Sequence, residues 1–286
     1  MYLDHFRLTE LPFSLTPDTS FFMSRAGYQG ALNVLLVALR SGEGFVKVTG
    51  EVGTGKTILC RTLLGRLGED YATAYLPNPY LNPRTLLLSI ADELGVDYPP
   101  DIGQHPLLKQ LGETLLASHE SGRPVVVCLD EVQAMPVETL ETLRLLTNLE
   151  TEKHKLIQVV LFGQPELDEL LAEPSVRQLR QRITFTYQLE PLNRIAMRHY
   201  LAHRLSVAGH QTAELFDKRA LETLYRASGG IPRLVNILAH KSLMAAYGEG
   251  APGVSRQHVR AAAADTADAR ACQAPRRFAL LRGLLS

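Results

Sequence analysis

Residues 50–57, G-E-V-G-T-G-K-T, have the types and spacing of a loop that binds a chain of phosphates. Glycines at positions 50, 53 and 55 let the backbone turn tightly and bring its N–H groups close to an anion. An apolar run precedes the loop and a helical pattern follows it, which is the context that makes such a match specific. In this arrangement Lys56 reaches the β- and γ-phosphates and Thr57 gives its hydroxyl to Mg²⁺. The predicted nucleotide-binding residues are Gly50, Glu51, Val52, Gly53, Thr54, Gly55, Lys56, Thr57 and Ile58.

An acidic pair follows another apolar run. Residues 125–129, VVVCL, come after a Gly-Arg-Pro turn and are typical of a strand buried on both faces. Asp130 and Glu131 come next, at the edge where parallel sheets bind ligands. We expect Asp130 to hold Mg²⁺ through its water shell, and Glu131 to orient or deprotonate the water that attacks the γ-phosphate. An exposed acidic pair is the alternative, and the phosphate-binding pattern favours the catalytic interpretation.

Two further polar positions follow predicted secondary structure. Gln164 comes after the predicted strand 157–162, so it should face the same edge as Asp130, where its amide can contact water or the γ-phosphate. Because any strand ends in polar residues, a purely structural role is the alternative. Arginines at 177, 180 and 182 precede the last apolar run, and predict either a surface that meets a phosphate on a neighbouring subunit or a solvated basic face.

Apolar runs and helical patterns alternate up to residue 189. Strands are predicted at 45–49, 71–76, 125–129, 157–162 and 183–189. Helices are predicted at 28–40, after the phosphate-binding loop, around 86–94, at 107–118 and at 135–150. This alternation indicates an α/β fold with a parallel sheet covered on both faces.

Beyond Pro191 only helical patterns follow, which predicts a second, all-helical domain. Three of its helices should begin with an apolar residue and a capping residue, at 192–193, 216–217 and 254–255. A Gly-Gly-Ile-Pro break starts another helix, and Arg233 in its first turn opposes the helix dipole. That position indicates contact with the phosphate site. We predict domains at 1–190 and 191–265 and a tail at 266–286.

The composition is that of an ordinary globular protein, with 286 residues, 45% of them hydrophobic and 21% charged. Thirty basic and thirty acidic side chains cancel, so no chain-wide basic field attracts nucleic acid. The sequence shows no secretory leader and no run of about twenty apolar residues. Cys60, Cys128 and Cys272 are far apart, which is typical of a reducing compartment. We therefore expect a cytoplasmic protein without a transmembrane span.

Three other features favour plain structural roles. The arm before residue 25 should pack on the core rather than around a base. Its aromatic residues include Phe6, Phe13, Phe21 and Phe22. His199 and His203 lie four residues apart, but no third metal ligand is near in sequence. The tail is expected to be disordered, with a partner-binding helix and a weak anchor for acidic lipid as alternatives.

Several segments together resemble the AAA+ ATPases of the general secretion pathway protein A group, and in particular those of mannose-sensitive haemagglutinin (MSHA) type IV pilus biogenesis. The segments are YLDHFRLTELPFSLTPDTSFF, GEVGTGKT, LDEVQAM, LFGQPEL, LRQRITFTYQLEPL and GGIPRLVN. The likeness extends from residue 1 to about residue 264. It implies a P-loop NTPase (AAA+/ASCE) fold with strand order 5-1-4-3-2, a C-terminal helical lid, ATP and Mg²⁺ as ligands, and assembly into homo-oligomers.

The resemblance also implies residue roles in the nucleotide-binding domain. Lys56 and Thr57 match the Walker A motif. Asp130 and Glu131 match the Walker B motif. Gln164 falls at the sensor-1 position, where many relatives have Asn, Ser or Thr.

Two arginine roles are implied as well. Arg233 matches the sensor-2 arginine, and either Arg180 or Arg182 matches a finger that acts on a neighbouring subunit. Relatives often continue into a membrane span and a periplasmic peptidoglycan-binding domain. Neither is expected in this sequence, so a link to the inner membrane should run through a partner protein.

The sequence therefore predicts an ATPase that couples Mg·ATP turnover to assembly of a type IV pilus or a type II secretion-like envelope machine. One alternative is a DNA-associated ATPase similar to transposition target-selection regulators, although the balanced charge counts against nucleic acid. A nucleotide-dependent scaffold with little turnover is another.

Overall fold

The computed structural model describes residues 2–15, 26–78, 80–150, 154–210 and 215–270. The chain divides into two compact units. One unit is Pro17–Glu190, which we call the sheet unit. The other joins Met1–Thr16 to Pro191–Ser286, and we call it the helical unit. Some residues named in the predictions lie outside the described residues, namely Phe21, Phe22, Cys272 and positions 271–286 of the predicted tail.

The sheet unit alternates strands with helices. Its strands are β1 (Phe45–Gly50), β2 (Ala72–Leu76), β3 (Val125–Leu129), β4 (Ile157–Gly163) and β5 (Ile183–Leu189). The helical unit begins with α1 (Tyr2–Phe6). The helices of the sheet unit are α2 (Ala26–Arg40), α3 (Lys56–Leu67), α4 (Pro83–Glu93), α5 (Gln104–Glu120), α6 (Val137–Leu146), α7 (Glu166–Ala172) and α8 (Arg177–Arg180). Each strand predicted from the sequence is present, with ends that agree to one residue.

The five strands form one parallel sheet in the order β2-β3-β4-β1-β5. This is the predicted order 5-1-4-3-2 counted from the other edge, so the fold-class prediction is confirmed. The register pairs Thr49 of β1 with Gly163 of β4, and Leu129 of β3 with Leu161 of β4. The carboxyl ends of these three central strands therefore meet at one edge of the sheet.

Side chains that alternate along the strands form two buried layers, one on each face of the sheet. On one face, Val126 and Cys128 of β3 pack in a cluster with apolar residues of α2 and α3. On the other face, Val125 and Val127 pack with residues of α4, α5 and α6. Burial on both faces explains why β3 is apolar throughout and β4 is apolar apart from Gln158, whose Nε2 donates to the carbonyl oxygens of Leu39 and Glu43.

Some helix predictions differ from the structure. The helix predicted at 135–150 is the shorter α6, because Pro136 keeps an extended backbone as the N-cap and Thr147 caps the other end. Helices α7 and α8 were not predicted, since seven and four residues are too few to show a clear helical period.

Beyond Pro191 the helical unit contains α9 (Arg194–Val207), α10 (Lys218–Ser228), α11 (Pro232–Gly248) and α12 (Arg256–Ala264). The predicted caps are present. The side chains of Asn193 and Asp217 accept hydrogen bonds from the third residue beyond each. Ser255 forms a capping box with His258.

The N-terminal arm belongs to the helical unit, whereas the sequence suggested that it joins a domain at 1–190. Hydrogen bonds give the reason. The Tyr2 hydroxyl lies 2.8 Å from Nδ1 of His240 on α11. The buried Arg204 guanidinium on α9 donates to the carbonyl oxygens of Pro12 and Ser14. Phe6 and Phe13 are also buried, as expected of a packed arm.

Among the described residues, no helix combines the length and apolar character that spanning a membrane requires.

Replacement of Arg204 by Leu should lower the free energy of unfolding by about 2–4 kcal/mol, because two arm carbonyl groups lose a charged donor. Chemical denaturation measures this change, and limited proteolysis should show earlier cleavage within residues 2–15. Arg198→Leu is the matched control, since Arg198 is exposed on the same helix. Equal stability of the two variants would show that the arm does not depend on Arg204.

Candidate functional site

The phosphate-binding loop connects β1 to α3 and requires glycine at particular places. Gly53 and Gly55 have φ angles of 79° and 101°, in the left-handed region that favours glycine. A Cβ at Gly50 would lie 2.8 Å from Oγ1 of Thr54 and 3.0 Å from the Leu189 carbonyl oxygen. The loop is thus a tight turn whose backbone a phosphate chain can approach closely.

Lys56 begins α3 and is almost completely buried, with 4% of its surface exposed. Its ammonium group donates to the carbonyl oxygens of Gly50 at 2.8 Å and Glu51 at 3.2 Å. Burial lowers the pKa of Lys56, and the nearby carboxylates of Glu131 and Asp130 oppose that shift. The loop therefore holds a buried cation against its own carbonyl oxygens.

A direct hydrogen bond joins the two predicted motifs. Oγ1 of Thr57 on α3 donates to Oδ2 of Asp130 at 2.6 Å. Asp130 follows β3 and has 2% of its surface exposed. Burial raises the pKa of Asp130, while the Thr57 hydroxyl and the Glu131 N–H limit the rise. A hydroxyl and a carboxylate thus converge at the carboxyl edge of the sheet.

Glu131 has an unusual backbone conformation, with φ 55° and ψ 36°. A left-handed residue other than glycine costs on the order of 1 kcal/mol and commonly occurs at functional sites. Its N–H donates to Oδ1 of Asp130 at 3.0 Å, which supports the turn. The turn places the two adjacent carboxylates in different surroundings.

Two glutamine side chains donate hydrogen bonds to the Glu131 carboxylate. Nε2 of Gln133 and Nε2 of Gln164 donate to the same oxygen, Oε2, at 2.7 and 2.9 Å. Oε1 of Gln133 also accepts the Gln164 N–H at 2.9 Å. Burial opposes ionisation of Glu131, but these bonds and the Lys56 charge outweigh it and lower the pKa of Glu131. The carboxylate is therefore an ionised, oriented acceptor at neutral pH.

Sequence reasoning missed Gln133. The only signal was its place two residues after the acidic pair, within a single turn of 3-10 helix at Val132–Ala134 that is too short to show a period in the sequence. Gln164 was predicted to face water or phosphate, and in the structure its side chain contacts Glu131.

Arg180 and Arg182 of the sheet unit are not in this cluster. Arg182 immediately precedes β5, at the amino end of the strand, and so lies at the opposite edge of the sheet from Gly50. Its guanidinium donates to the carbonyl oxygen of Arg144 on α6 at 3.3 Å and to Oγ1 of Thr147, just after α6, at 3.1 Å. Arg180 is exposed, and its side chain makes no hydrogen bond or ion pair within the described ranges.

Another predicted arginine belongs to the other unit. Arg233 lies in the first turn of α11 in the helical unit, and its side chain is exposed.

The cluster fits the ligands implied by the sequence. Hydroxyl and carboxylate oxygens, here from Thr57 and Asp130, are the donors that Mg²⁺ prefers. Lys56 provides the positive charge, and the glycine turn at the start of α3 provides N–H groups for a phosphate chain. The residues present therefore suit a metal-bound polyphosphate.

Comparison with known proteins gives the same fold. Residues 39–171 match the family model described as AAA domain. The chain resembles the Cdc6p protein of Pyrobaculum aerophilum with a TM-score of 0.69 and 20% identity, over 89% of this chain and 70% of that one. It has the fold of a P-loop AAA+ ATPase. The AAA+ fold also appears in the Aeropyrum pernix ORC2 protein, with a TM-score of 0.65 and 21% identity over 89% and 70% of the two chains.

General secretion pathway protein A of Aeromonas hydrophila has a higher sequence identity to this chain than these two structures. It is 45% identical over 250 residues, which cover 87% of this chain and 46% of the relative. The chain therefore spans about half the length of the curated relative that it matches. The chain is related to that protein over nearly all of its own length.

Replacement of Gln133 by Leu should raise the pKa of Glu131 toward its usual range, since the carboxylate loses a hydrogen-bond donor that stabilises its charged form. In the wild type the lowered pKa stabilises the fold above the unfolded-state value, and this contribution is lost as pH falls through the folded pKa. Carbon-13 NMR titration of the Glu131 carboxyl measures the shift. Gln178→Leu, at an exposed position on α8, should leave that titration unchanged.

Proposed function

We propose that the chain is an ATPase that hydrolyses Mg·ATP at the carboxyl edge of its sheet. The observation that carries the proposal is the 2.6 Å hydrogen bond between Thr57 and Asp130, which brings the two motifs into a single site. Lys56 and an ionised Glu131 lie in the same cluster. A scaffold without turnover would not require a carboxylate oriented by two amide donors.

The proposed roles follow from these contacts. The N–H groups of the loop and the Lys56 ammonium bind the β- and γ-phosphates, exchanging the loop carbonyl contacts of Lys56 for phosphate oxygens. Thr57 would bind Mg²⁺ directly and Asp130 would hold it through its water shell, and the 2.6 Å hydrogen bond between the two side chains supports a shared site. The metal supplies charge neutralisation on the β- and γ-phosphate oxygens.

Glu131 acts as the general base in this proposal. Its carboxylate accepts a proton from water as the water oxygen bonds to the γ-phosphorus and the bond to the β,γ-bridging oxygen breaks. The products are ADP and inorganic phosphate. Gln133 and Gln164 orient the carboxylate through their bonds to Oε2. We assign Gln164 the sensor-1 role and Arg233 the sensor-2 role on the basis of the sequence resemblance.

We further propose that turnover drives the assembly of a type IV pilus or a secretion-like envelope machine, through a membrane-associated partner. Identity of 45% to general secretion pathway protein A supports a role of this kind. The narrower MSHA pilus role rests on the sequence resemblance. The same resemblance supports a homo-oligomer, a helical lid at 191–265 and a location at the inner membrane.

Glu131→Gln should lower the rate of phosphate release by about 10²–10⁴-fold, since the amide cannot accept the proton. Affinity for ATP should change little, because the side-chain shape and most of the site are kept. Phosphate release and equilibrium ATP binding are measured on the same preparation. Glu138→Gln, at an exposed carboxylate on α6, is the control and should match the wild type.

A wild type that releases phosphate no faster than Glu131→Gln would contradict the enzyme proposal. The same substitution in the encoding organism tests the assembly role. Surface pili or secreted proteins should be lost while the level of the chain stays normal. Normal pili and secretion in a strain whose chain has no ATPase activity would contradict that role.

The structure favours Arg180 over Arg182 as the finger that acts on a neighbouring subunit, because Arg182 is bound within its own chain. Arg180→Ala should therefore abolish turnover with ATP binding and stability retained. Arg182→Ala should lower the unfolding midpoint instead. Mixing Arg180→Ala with Lys56→Ala chains should restore part of the activity, since some interfaces then combine an intact loop with an intact arginine. No recovery on mixing would contradict action between subunits.

A further inference from the structure

A tyrosine outside the recognised motifs contacts the phosphate-binding loop. Tyr28 lies in the first turns of α2 and is buried, with 8% of its surface exposed. Its hydroxyl donates a hydrogen bond to the carbonyl oxygen of Thr54. The contact joins a helix that precedes β1 to the middle of the loop that follows β1.

The position of this bond matters because of peptide geometry. The peptide between Thr54 and Gly55 is planar and trans, so its C=O and N–H groups point in opposite directions. A donor that holds the Thr54 carbonyl therefore also directs the Gly55 N–H to the side of the loop away from Tyr28. Gly55 is in the left-handed conformation, with φ 101° and ψ 26°, and such turns group successive N–H groups into anion-binding concavities.

The fit between Tyr28 and the loop also depends on a glycine. A Cβ at Gly55 would overlap the Tyr28 hydroxyl. Gly55 is thus needed for two reasons, its positive φ and the space that the tyrosine occupies. A second hydrogen bond lies within the loop itself, where Oγ1 of Thr54 donates to the carbonyl oxygen of Glu51 at 2.8 Å.

The tyrosine itself is held in place by the sheet. The Tyr187 hydroxyl of β5 donates to the Gly27 carbonyl at 2.7 Å, which fixes the first turn of α2. Further along α2, Ala31, Leu32 and Leu35 are buried in the cluster that contains Val46 and Val48 of β1. Tyr28 therefore projects from a rigid support rather than from a loop.

We propose that Tyr28 is a positioning residue that sets the Thr54–Gly55 peptide so that its N–H faces the phosphate chain. The expected effect on nucleotide affinity rests on the proposed nucleotide-binding function. The hydrogen bond from Tyr28 to Thr54 does not depend on turnover. Because ADP and ATP both carry the β-phosphate that the loop contacts, loss of the hydroxyl should weaken the binding of both by a similar factor. Such uniform weakening raises KM and leaves kcat nearly unchanged.

Tyr28→Phe tests the proposal, since it keeps the buried ring and removes only the hydroxyl. The dissociation constant for Mg·ADP should rise about 5- to 10-fold, the effect expected of one lost hydrogen bond. KM for ATP should rise by a similar factor, with kcat changed less than about twofold. Amide hydrogen exchange within residues 50–57 should become faster in protein without nucleotide, while the thermal midpoint stays close to that of the wild type.

Two further tyrosines serve as matched variants. Tyr71→Phe, at a half-buried position before β2, should behave as the wild type. Tyr187→Phe removes the support of α2 but not the loop contact, so its effect should be smaller than that of Tyr28→Phe. An equal effect would show that helix placement, rather than the Tyr28 hydroxyl, sets the loop, and would overturn the proposal.

The measurements separate this inference from the proposed activity. Unchanged ADP affinity and unchanged loop exchange in Tyr28→Phe would overturn the positioning role even if the wild type hydrolyses ATP. A wild type that binds ADP without hydrolysing ATP would contradict the activity and leave the Tyr28 role standing. If the wild type bound no nucleotide, the exchange of the loop amides would still decide the positioning role.

Discussion

The site depends on the parallel register of β3, β4 and β1, which brings three loops to the same edge of the sheet. The phosphate-binding loop follows β1, the acidic pair follows β3, and Gln164 follows β4. Neighbouring strands lie about 4.8 Å apart, so side chains at these ends can touch directly. The hydrogen bond from Thr57 to Asp130 and that from Gln164 to Glu131 are the result. A shift of one strand by one residue would move these ends apart along the strand direction, by about 3.3 Å.

Burial gives the cluster its electrostatic character. Lys56 and Asp130 are both buried, and the pKa of each moves in the direction that disfavours its charge, down for the lysine and up for the aspartate. Glu131 is less buried, and amide donors lower its pKa despite the cost of desolvation. The pKa values of these adjacent carboxylates thus shift in opposite directions because Asp130 is the more deeply buried, whereas Glu131 accepts hydrogen bonds from Gln133 and Gln164. This difference supports separate proposed roles for them, in metal binding and in proton transfer.

The N-terminal arm shows how contacts can override position in the sequence. It precedes the sheet unit along the chain, yet Arg204 and His240 of the helical unit bind it. The chain therefore enters the sheet unit from the helical unit before α2 and returns to the helical unit after β5. The first of these connections leads to the helix that carries Tyr28, and the second follows the strand that carries Tyr187.

The local sequence determined the strands, the loop, the acidic pair and the helix caps, because each depends on a short pattern of apolar, glycine or capping residues. The strand order and the proposed roles of the arginines came instead from the family resemblance. Tertiary structure alone decided that Gln133 binds Glu131, that Tyr28 supports the loop, and that Arg182 is engaged within its own chain. These contacts join residues on different elements, or in a turn without a repeating pattern. Their partners are chosen by packing in three dimensions, which no spacing along the chain records.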